Sequence, residues 1–115
     1  MKVLVCGGRT FSDKELLFAV LDEEHEKYNF DTLIHGGAKG ADMLAHKWCC
    51  RNGIIEVCYP ANWSKYGPAA GPIRNKKMLE EGKPDLVIAF PGGRGTANMV
   101  SLAKQAGIKV KVVET

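Results

Sequence analysis

Short apolar runs alternate with longer amphipathic segments along the whole chain. Five of these runs contain mostly β-branched and other apolar residues, and they span residues 2–6, 31–35, 54–59, 84–90 and 108–113. Apolar runs of this length, bounded by glycine or proline, predict short β-strands. The first run is apolar throughout after Lys2, which predicts a strand buried on both faces of its sheet.

Amphipathic segments between these runs predict helices. Ser12 and Glu15 match the S-x-x-E capping box, so a helix is expected from there to about residue 28. Pro72 suits the first turn of another helix, and Thr96 can cap a third. The helices that follow the first are expected over residues 40–51, 72–81 and 96–105.

The predicted order of elements is β-α-β-α-β-loop-α-β-α-β, which determines the fold class. Strands that alternate with helices form a parallel sheet with helices on both faces. We therefore expect an α/β fold in three layers with a mainly parallel five-stranded sheet. Residues 1–115 are expected to form one domain, because two separate cores in 115 residues would be too small to be stable.

Composition is that of an ordinary globular protein, with 45% apolar residues, 25% charged residues and a net charge of +3. No apolar stretch approaches the ~18 residues of a membrane span, and no signal peptide is expected before the first strand. The four cysteines show no C-x-x-C spacing, so no structural zinc site is expected. Three of them fall in apolar segments, where cysteine is usually a core residue. A location in the reducing cytoplasm is therefore expected.

Glycine clusters follow three of the predicted strands. Ligands bind beyond the carboxyl ends of the strands in open parallel sheets, where glycine lets a phosphate approach the backbone and helix N-termini offer free amides. Each cluster also carries one cation, at Arg9, Lys39 or Arg94. We therefore expect phosphate binding, although tight turns alone also require glycine. The residues concerned are Gly7, Gly8, Arg9, Gly36, Gly37, Lys39, Gly40, Pro91, Gly92, Gly93, Arg94, Gly95 and Thr96.

Standard nucleotide motifs are absent from the sequence. The cluster that begins at Gly36 is not a P-loop, and the one at Gly7 is not G-x-G-x-x-G. No Ser–His–acid or H-E-x-x-H arrangement is present, and potential metal ligands are scattered, so no metal site is expected, although Mg²⁺ could arrive with phosphates. Asp42 could contact a ribose or position a water, or it could stabilise its own helix N-terminus.

Aromatic and histidine side chains near the glycine clusters allow two interpretations each. Residues 61–71 show no period and predict a long functional loop. Trp63 and Tyr66 in that loop could stack on a nucleobase, or they could anchor the loop or a subunit contact. His35 ends a buried strand, and it is either a satisfied core residue or a catalytic one.

Five sequence blocks extend together over nearly the whole chain. They are G-G-R-x-F at residues 7–11, H-G-G-A-x-G-A-D at 35–42, P-A-x-W at 60–63, A-G-x-x-R-N at 70–75 and P-G-G-R-G-T at 91–96. With these blocks the chain resembles the SLOG superfamily of Rossmann-like domains, which includes the DprA/Smf DNA-processing proteins and the LOG cytokinin-activating phosphoribohydrolases. The motifs are most similar to the compact YspA-like branch.

This resemblance implies a Rossmann-like fold and a ligand such as ADP-ribose, an NAD-derived molecule or a cyclic nucleotide, held for sensing or sequestration. Arg74 matches the arginine of the phosphoribohydrolases and is expected to hold phosphate, while Asn75 contacts the ribose or base or caps its helix. The glutamate of their P-G-G-x-G-T-x-x-E motif corresponds to Met99, and methionine cannot act as an acid or base.

Two alternatives to a binding module remain open. A hydrolase of an N-glycosidic or phosphate bond would have to rely on Asp42 together with His35 or Arg74. Single-stranded nucleic-acid binding, as in DprA, fits a sequence pI of about 8.7, but the cations cluster in turns rather than along a stripe. The SLOG relatives also imply a homo-oligomer.

Overall fold

The predicted alternation of strands and helices is present in a computed structural model that describes residues 1–114. The strands are β1 (Lys2–Cys6), β2 (Thr32–His35), β3 (Ile55–Cys58), β4 (Leu86–Ala89) and β5 (Lys109–Val112). The helices are α1 (Lys14–Tyr28), α2 (Ala41–Asn52), α3 (Trp63–Tyr66), α4 (Ala70–Gly82) and α5 (Arg94–Gln105), and a 3₁₀ turn (Gly67–Ala69) joins α3 to α4.

All strand pairings in the described residues are parallel, and the sheet order is β3-β2-β1-β4-β5. The chain first builds outward from β1 to β3 and then crosses to the other side of β1. Strand order therefore reverses between β1 and β4, which is where open α/β sheets bind ligands. The expected α/β class, with a parallel five-stranded sheet between helical layers, is confirmed.

Two apolar clusters lie on opposite faces of the sheet, and β1 contributes to both. Val3 and Val5 pack with Leu17 of α1 and Trp48 of α2 on one face. On the other face Leu4 and Cys6 pack with α4 and α5 residues, including Met78, Met99 and Ala103. Alternate residues of a strand point to opposite faces, so a strand covered on both sides must be apolar where it is covered, as β1 is after the exposed Lys2.

Two helices have N-caps other than those predicted. Asp13, not Ser12, caps α1, and its Oδ1 accepts the amide of Leu16 at 3.1 Å. A carboxylate near a helix N-terminus gains from the helix dipole, which favours it over the neighbouring hydroxyl. Helix α5 begins at Arg94, with Gly93 as its N-cap, rather than after a cap at Thr96.

The predicted long loop contains regular structure. Within residues 61–71, α3 begins after Asn62, whose Oδ1 accepts the amide of Lys65 at 3.1 Å. Helix α4 then begins at Ala70, two residues before Pro72. The prediction missed α3 because one turn of four residues is too short to show a helical period.

Two cysteines, rather than the expected three, are core residues. Cys6 and Cys49 are buried, while Cys50 and Cys58 are exposed. Within residues 1–114 no helix is both long and apolar enough to cross a bilayer.

Candidate functional site

A cleft of about 580 Å³ opens at the carboxyl edge of the sheet, where β1 and β4 lie side by side. Cys6 at the end of β1 and Met78 of α4 contribute to its lining. Predicted site residues that also line it are Gly7, Gly8, Arg9, Gly36, Asp42, Trp63, Arg74, Asn75, Gly93, Arg94, Gly95 and Thr96. Of the four predicted cationic residues, Arg9, Arg74 and Arg94 therefore line one cavity, and Lys39 does not.

Other predicted residues lie beside the cleft rather than in its lining. Gly37 and Lys39 line an adjoining groove, together with Arg9 and Arg74. Tyr66 lines a separate groove, which it shares with Trp63 and Arg74 but not with Arg9 or Arg94. The remaining predicted residues outside the lining are His35, Gly40, Pro91 and Gly92.

The N-terminus of α5 presents unpaired amides to the cleft. Gly93 caps the helix without a side-chain hydrogen bond, and the first helical amide with a carbonyl partner is Ala97, which donates to Gly93 at 3.1 Å. Within the described chain the amides of Arg94, Gly95 and Thr96 therefore donate to no protein group. A Cβ on Gly93 or Gly95 would meet nothing within 4 Å, so this surface is open. Free amides at the positive end of a helix form an anion site.

The loop between β2 and α2 already binds a carboxyl group of the protein, that of Asp42. Asp42 is 6% exposed, and its Oδ2 accepts the amides of Gly36 and Ala38 at 3.2 Å each. The amide of Ala41 donates to Gly8 at 3.2 Å. This loop therefore offers an external phosphate fewer free donors than its glycine content suggests.

Arg74 lies across the cleft from the α5 N-terminus in a half-buried position. Its Nη1 donates to the Gly36 carbonyl at 2.7 Å, and its Nε donates to Asn75 Oδ1 at 3.0 Å. A Cβ on Gly36 would collide with the guanidinium, so glycine is required for this approach. Burial lowers the pKa of Arg74 and the Asp42 carboxylate opposes that effect. The group remains charged, since arginine does not deprotonate in proteins.

Asn75 connects α4 to α5 and does not cap its own helix. Its Nδ2 donates to the Gly95 carbonyl at 3.1 Å and to Asn98 Oδ1 at 3.0 Å. Both amide hydrogens are thus committed, which leaves a ligand little to bind on this side chain. Asn98 also lines the cleft, and the sequence analysis missed it. Its position one helical turn after the glycine-rich loop is the only signal that could have indicated it.

Trp63 lies at the mouth of the cleft and already has a cationic neighbour. The Arg9 guanidinium lies 5.0 Å from the centre of its ring. A cation over an indole face is attracted by the ring quadrupole. A base that stacks on this face would have to displace Arg9, unless it uses the exposed part of the ring.

Acid–base chemistry in the cleft depends on one group. Asp42 is the one carboxylate among the described lining residues, and burial raises the pKa of its carboxyl against the opposing effect of the Ala38 amide. Burial also raises the pKa of the Cys6 thiol to about 12, so it is neutral at physiological pH. Met99 is fully buried in the core and contributes no polar atom.

A second polar cluster lies behind the β2–α2 loop. Glu56 of β3 contacts His35 Nε2 at 2.5 Å and His46 Nδ1 at 2.8 Å. Burial acts to raise the pKa of Glu56, but hydrogen bonds from both imidazoles hold this pKa below its usual value. The prediction that potential metal ligands are scattered is wrong for these three residues, because the fold brings their ligand atoms within 4.8 Å of one another. Glu56 and His46 were both missed, because only the pairing of β2 with β3 brings Glu56 to His35, and His46 reaches Glu56 from α2.

The fold and the cleft define a class: a Rossmann-like α/β domain with glycine-rich loops at the reversal of strand order. The family model described as "YspA, cpYpsA-related SLOG family" matches residues 1–66, and the chain belongs to this family. The resemblance inferred from the sequence motifs is thereby confirmed.

Two known proteins are similar over almost the whole chain. The Gene 61 protein of Mycobacterium phage D29 is 35% identical over 117 residues, which cover 95% of this chain and 93% of that protein. The C-terminal domain of a hydrogenase from Pyrococcus furiosus has a similar structure, with a TM-score of 0.55 and 18% identity. The match covers 98% of this chain and 91% of that domain. At this identity the second similarity concerns the fold alone.

Proposed function

We propose that the chain binds a nucleotide-derived phosphate ligand, such as ADP-ribose, an NAD-derived molecule or a cyclic nucleotide, for sensing or sequestration. One observation carries this proposal. The free amides of Arg94, Gly95 and Thr96 border the same cleft as the guanidinium groups of Arg9 and Arg74. Amides at a helix N-terminus and arginine forks are the groups that recognise phosphate oxygens.

The size and charge of the cleft support a small anionic ligand. Its volume of about 580 Å³ is within the usual range for small-molecule sites. Three arginines and one carboxylate line it, and the carboxylate is already hydrogen-bonded to loop amides. The positive potential therefore remains available to a ligand.

Calorimetric titration of the purified protein tests this proposal. The panel is AMP, ADP-ribose, NAD and cyclic AMP, with inorganic phosphate as the reference ligand. We expect at least one nucleotide to bind more tightly than phosphate, because base and ribose add contacts along the cleft. We also expect its affinity to fall as salt is raised, since charge dominates the phosphate contacts. A panel in which no nucleotide binds better than phosphate would contradict the proposal.

Hydrolysis of such a ligand is the second candidate, and the position of Asp42 favours it. A carboxyl with a raised pKa next to Arg74 in a cleft has the properties of a general acid. Incubation with NAD, ADP-ribose and nucleoside monophosphates, followed by chromatography, would reveal any product. If the protein is a hydrolase, Asp42→Asn should abolish product formation while ligand binding persists. A product formed equally by Asp42→Asn would exclude this role for Asp42.

A further inference from the structure

The peptide group between Gly36 and Gly37 is held from both sides. Its carbonyl accepts from Arg74 Nη1 at 2.7 Å, and its N–H donates to His35 Nδ1 at 2.9 Å. A peptide group is planar, so rotation of this unit would break both hydrogen bonds together. Gly37 has a φ of +71°, and because it is glycine its backbone can also adopt other conformations when these contacts are absent.

The hydrogen bonds of His35 determine which ring nitrogen carries its proton. Nδ1 accepts the Gly37 amide and so has a lone pair, which places the proton of the neutral ring on Nε2. Nε2 then donates to Glu56 Oε2 at 2.5 Å. His46 donates from Nδ1 to the same carboxylate at 2.8 Å, which holds Glu56 in place.

The hydrogen bonds of His35 also disfavour a metal ion between His35, His46 and Glu56. A metal at His35 Nε2 would move the ring proton to Nδ1, where it would face the N–H of Gly37. Ligating histidines normally have an acceptor, not a donor, at the second nitrogen. The hydrogen bonds of His35, His46 and Glu56 therefore suit protonated ring nitrogens facing a carboxylate rather than a bound metal ion.

We propose that His35 and Glu56 are positioning residues for the cleft, acting on Arg74 through the Gly36–Gly37 peptide. The Glu56 carboxylate holds the proton of His35 on Nε2. The unprotonated Nδ1 then accepts from Gly37 and orients the peptide, and the Gly36 carbonyl of that peptide orients the Arg74 guanidinium. Neither side chain lines the cleft. This inference rests on the proposed function, because Arg74 is taken to contact the ligand.

Nitrogen NMR of the histidine rings in the ligand-free protein tests the first two steps. In the wild type we expect His35 Nδ1 to give the shift of an unprotonated nitrogen and Nε2 that of a protonated one. In Glu56→Ala we expect a mixture of tautomers and faster exchange of the Gly37 amide proton. Glu80→Ala is the control, because Glu80 is an exposed carboxylate on α4. A proton on Nδ1 in the wild type, an unchanged ring in Glu56→Ala, or a spectrum altered by a chelator would overturn the proposal.

Titration with AMP tests the step to the ligand. Glu56→Ala should weaken binding about 3- to 10-fold, the effect of one lost hydrogen bond, and Glu80→Ala should leave it unchanged. His35→Leu should weaken binding at least as much as Glu56→Ala. His35→Asn should restore part of the affinity, because its side-chain carbonyl can accept from Gly37. Equal affinities for His35→Leu and His35→Asn would overturn the inference, since asparagine can accept from the Gly37 amide and leucine cannot. If wild-type protein fails to bind AMP and the rest of the panel, the proposed function fails, and the ring spectra still decide the tautomer.

Discussion

Replacing Gly40 with alanine is expected to lower the free energy of unfolding by roughly 2–5 kcal/mol. Gly40 is the N-cap of α2, with φ +78° and ψ −125°, a backbone conformation open almost only to glycine. A Cβ there would collide with the Gly8 carbonyl oxygen and would lie 2.7 Å from the backbone carbon of Arg9. Because the obstacle is backbone, the β1–α1 loop itself would have to move.

Gly53→Ala is the matched control for this prediction. Gly53 ends α2 with φ +64° and ψ 33°, in the left-handed region that other residues do enter. A Cβ at that position would meet nothing within 4 Å. We expect a loss of about 1–2 kcal/mol, due to the backbone conformation alone. Urea unfolding of both variants measures the difference, and equal losses would mean that the contact between Gly40 and the β1–α1 loop is not tight.

The contact at Gly40 shows why the glycines of this chain have two different uses. Gly40 allows the β2–α2 loop to pack against the β1–α1 loop, and Gly8 and Gly92 allow a similar approach, with the Gly8 amide donating to Pro91 at 2.9 Å. Gly93 and Gly95, in contrast, border open space. The sequence predicts the same role for all of them, because a glycine that avoids a collision and one that leaves room for a ligand look alike.

The fold was predictable because its signals are local. Continuous apolar runs such as β1 indicate strands that are covered on both faces, and their alternation with helices indicates a parallel sheet. The motif blocks extended this prediction to the Rossmann-like class. The helix starts were less accurate, since Asp13 and Ser12 are both good caps and stand next to each other in the sequence.

Parts of the candidate site depend on register and could not be predicted. His35 pairs with Cys58 and Leu33 pairs with Glu56, so Glu56 lies one diagonal step from His35 on the same face of the sheet. A shift of one residue would place Glu56 on the opposite face. Asp42 is a similar case, because its sequence position suits ligand binding, a helix N-terminus and the loop amides equally well.

The second large expected effect, after that of Gly40→Ala on stability, concerns binding. Arg74→Gln is expected to weaken nucleotide binding about 10- to 100-fold. The half-buried guanidinium shares the cleft with the free amides of α5, and a charged hydrogen bond to phosphate is stronger there than in water. Arg74→Lys should restore little of the affinity. An ammonium cannot donate to Gly36, to Asn75 and to a phosphate in the same forked geometry.

Lys76→Gln is the control for the charge itself. Lys76 lies two residues further along α4, is exposed, and is 3.9 Å from Glu80. Its loss removes the same positive charge from the same helix without reaching the cleft, so we expect affinity within about 2-fold of wild type, since exposed charges at a distance are largely screened. Circular dichroism would show that Arg74→Gln is folded, which matters because the variant removes a positive charge that favours the ionised form of the buried Asp42 carboxyl. If Arg74→Gln and Lys76→Gln bind the nucleotide equally well, Arg74 does not contact the ligand, and the phosphate would have to be held by α5, Arg9 and Arg94 alone.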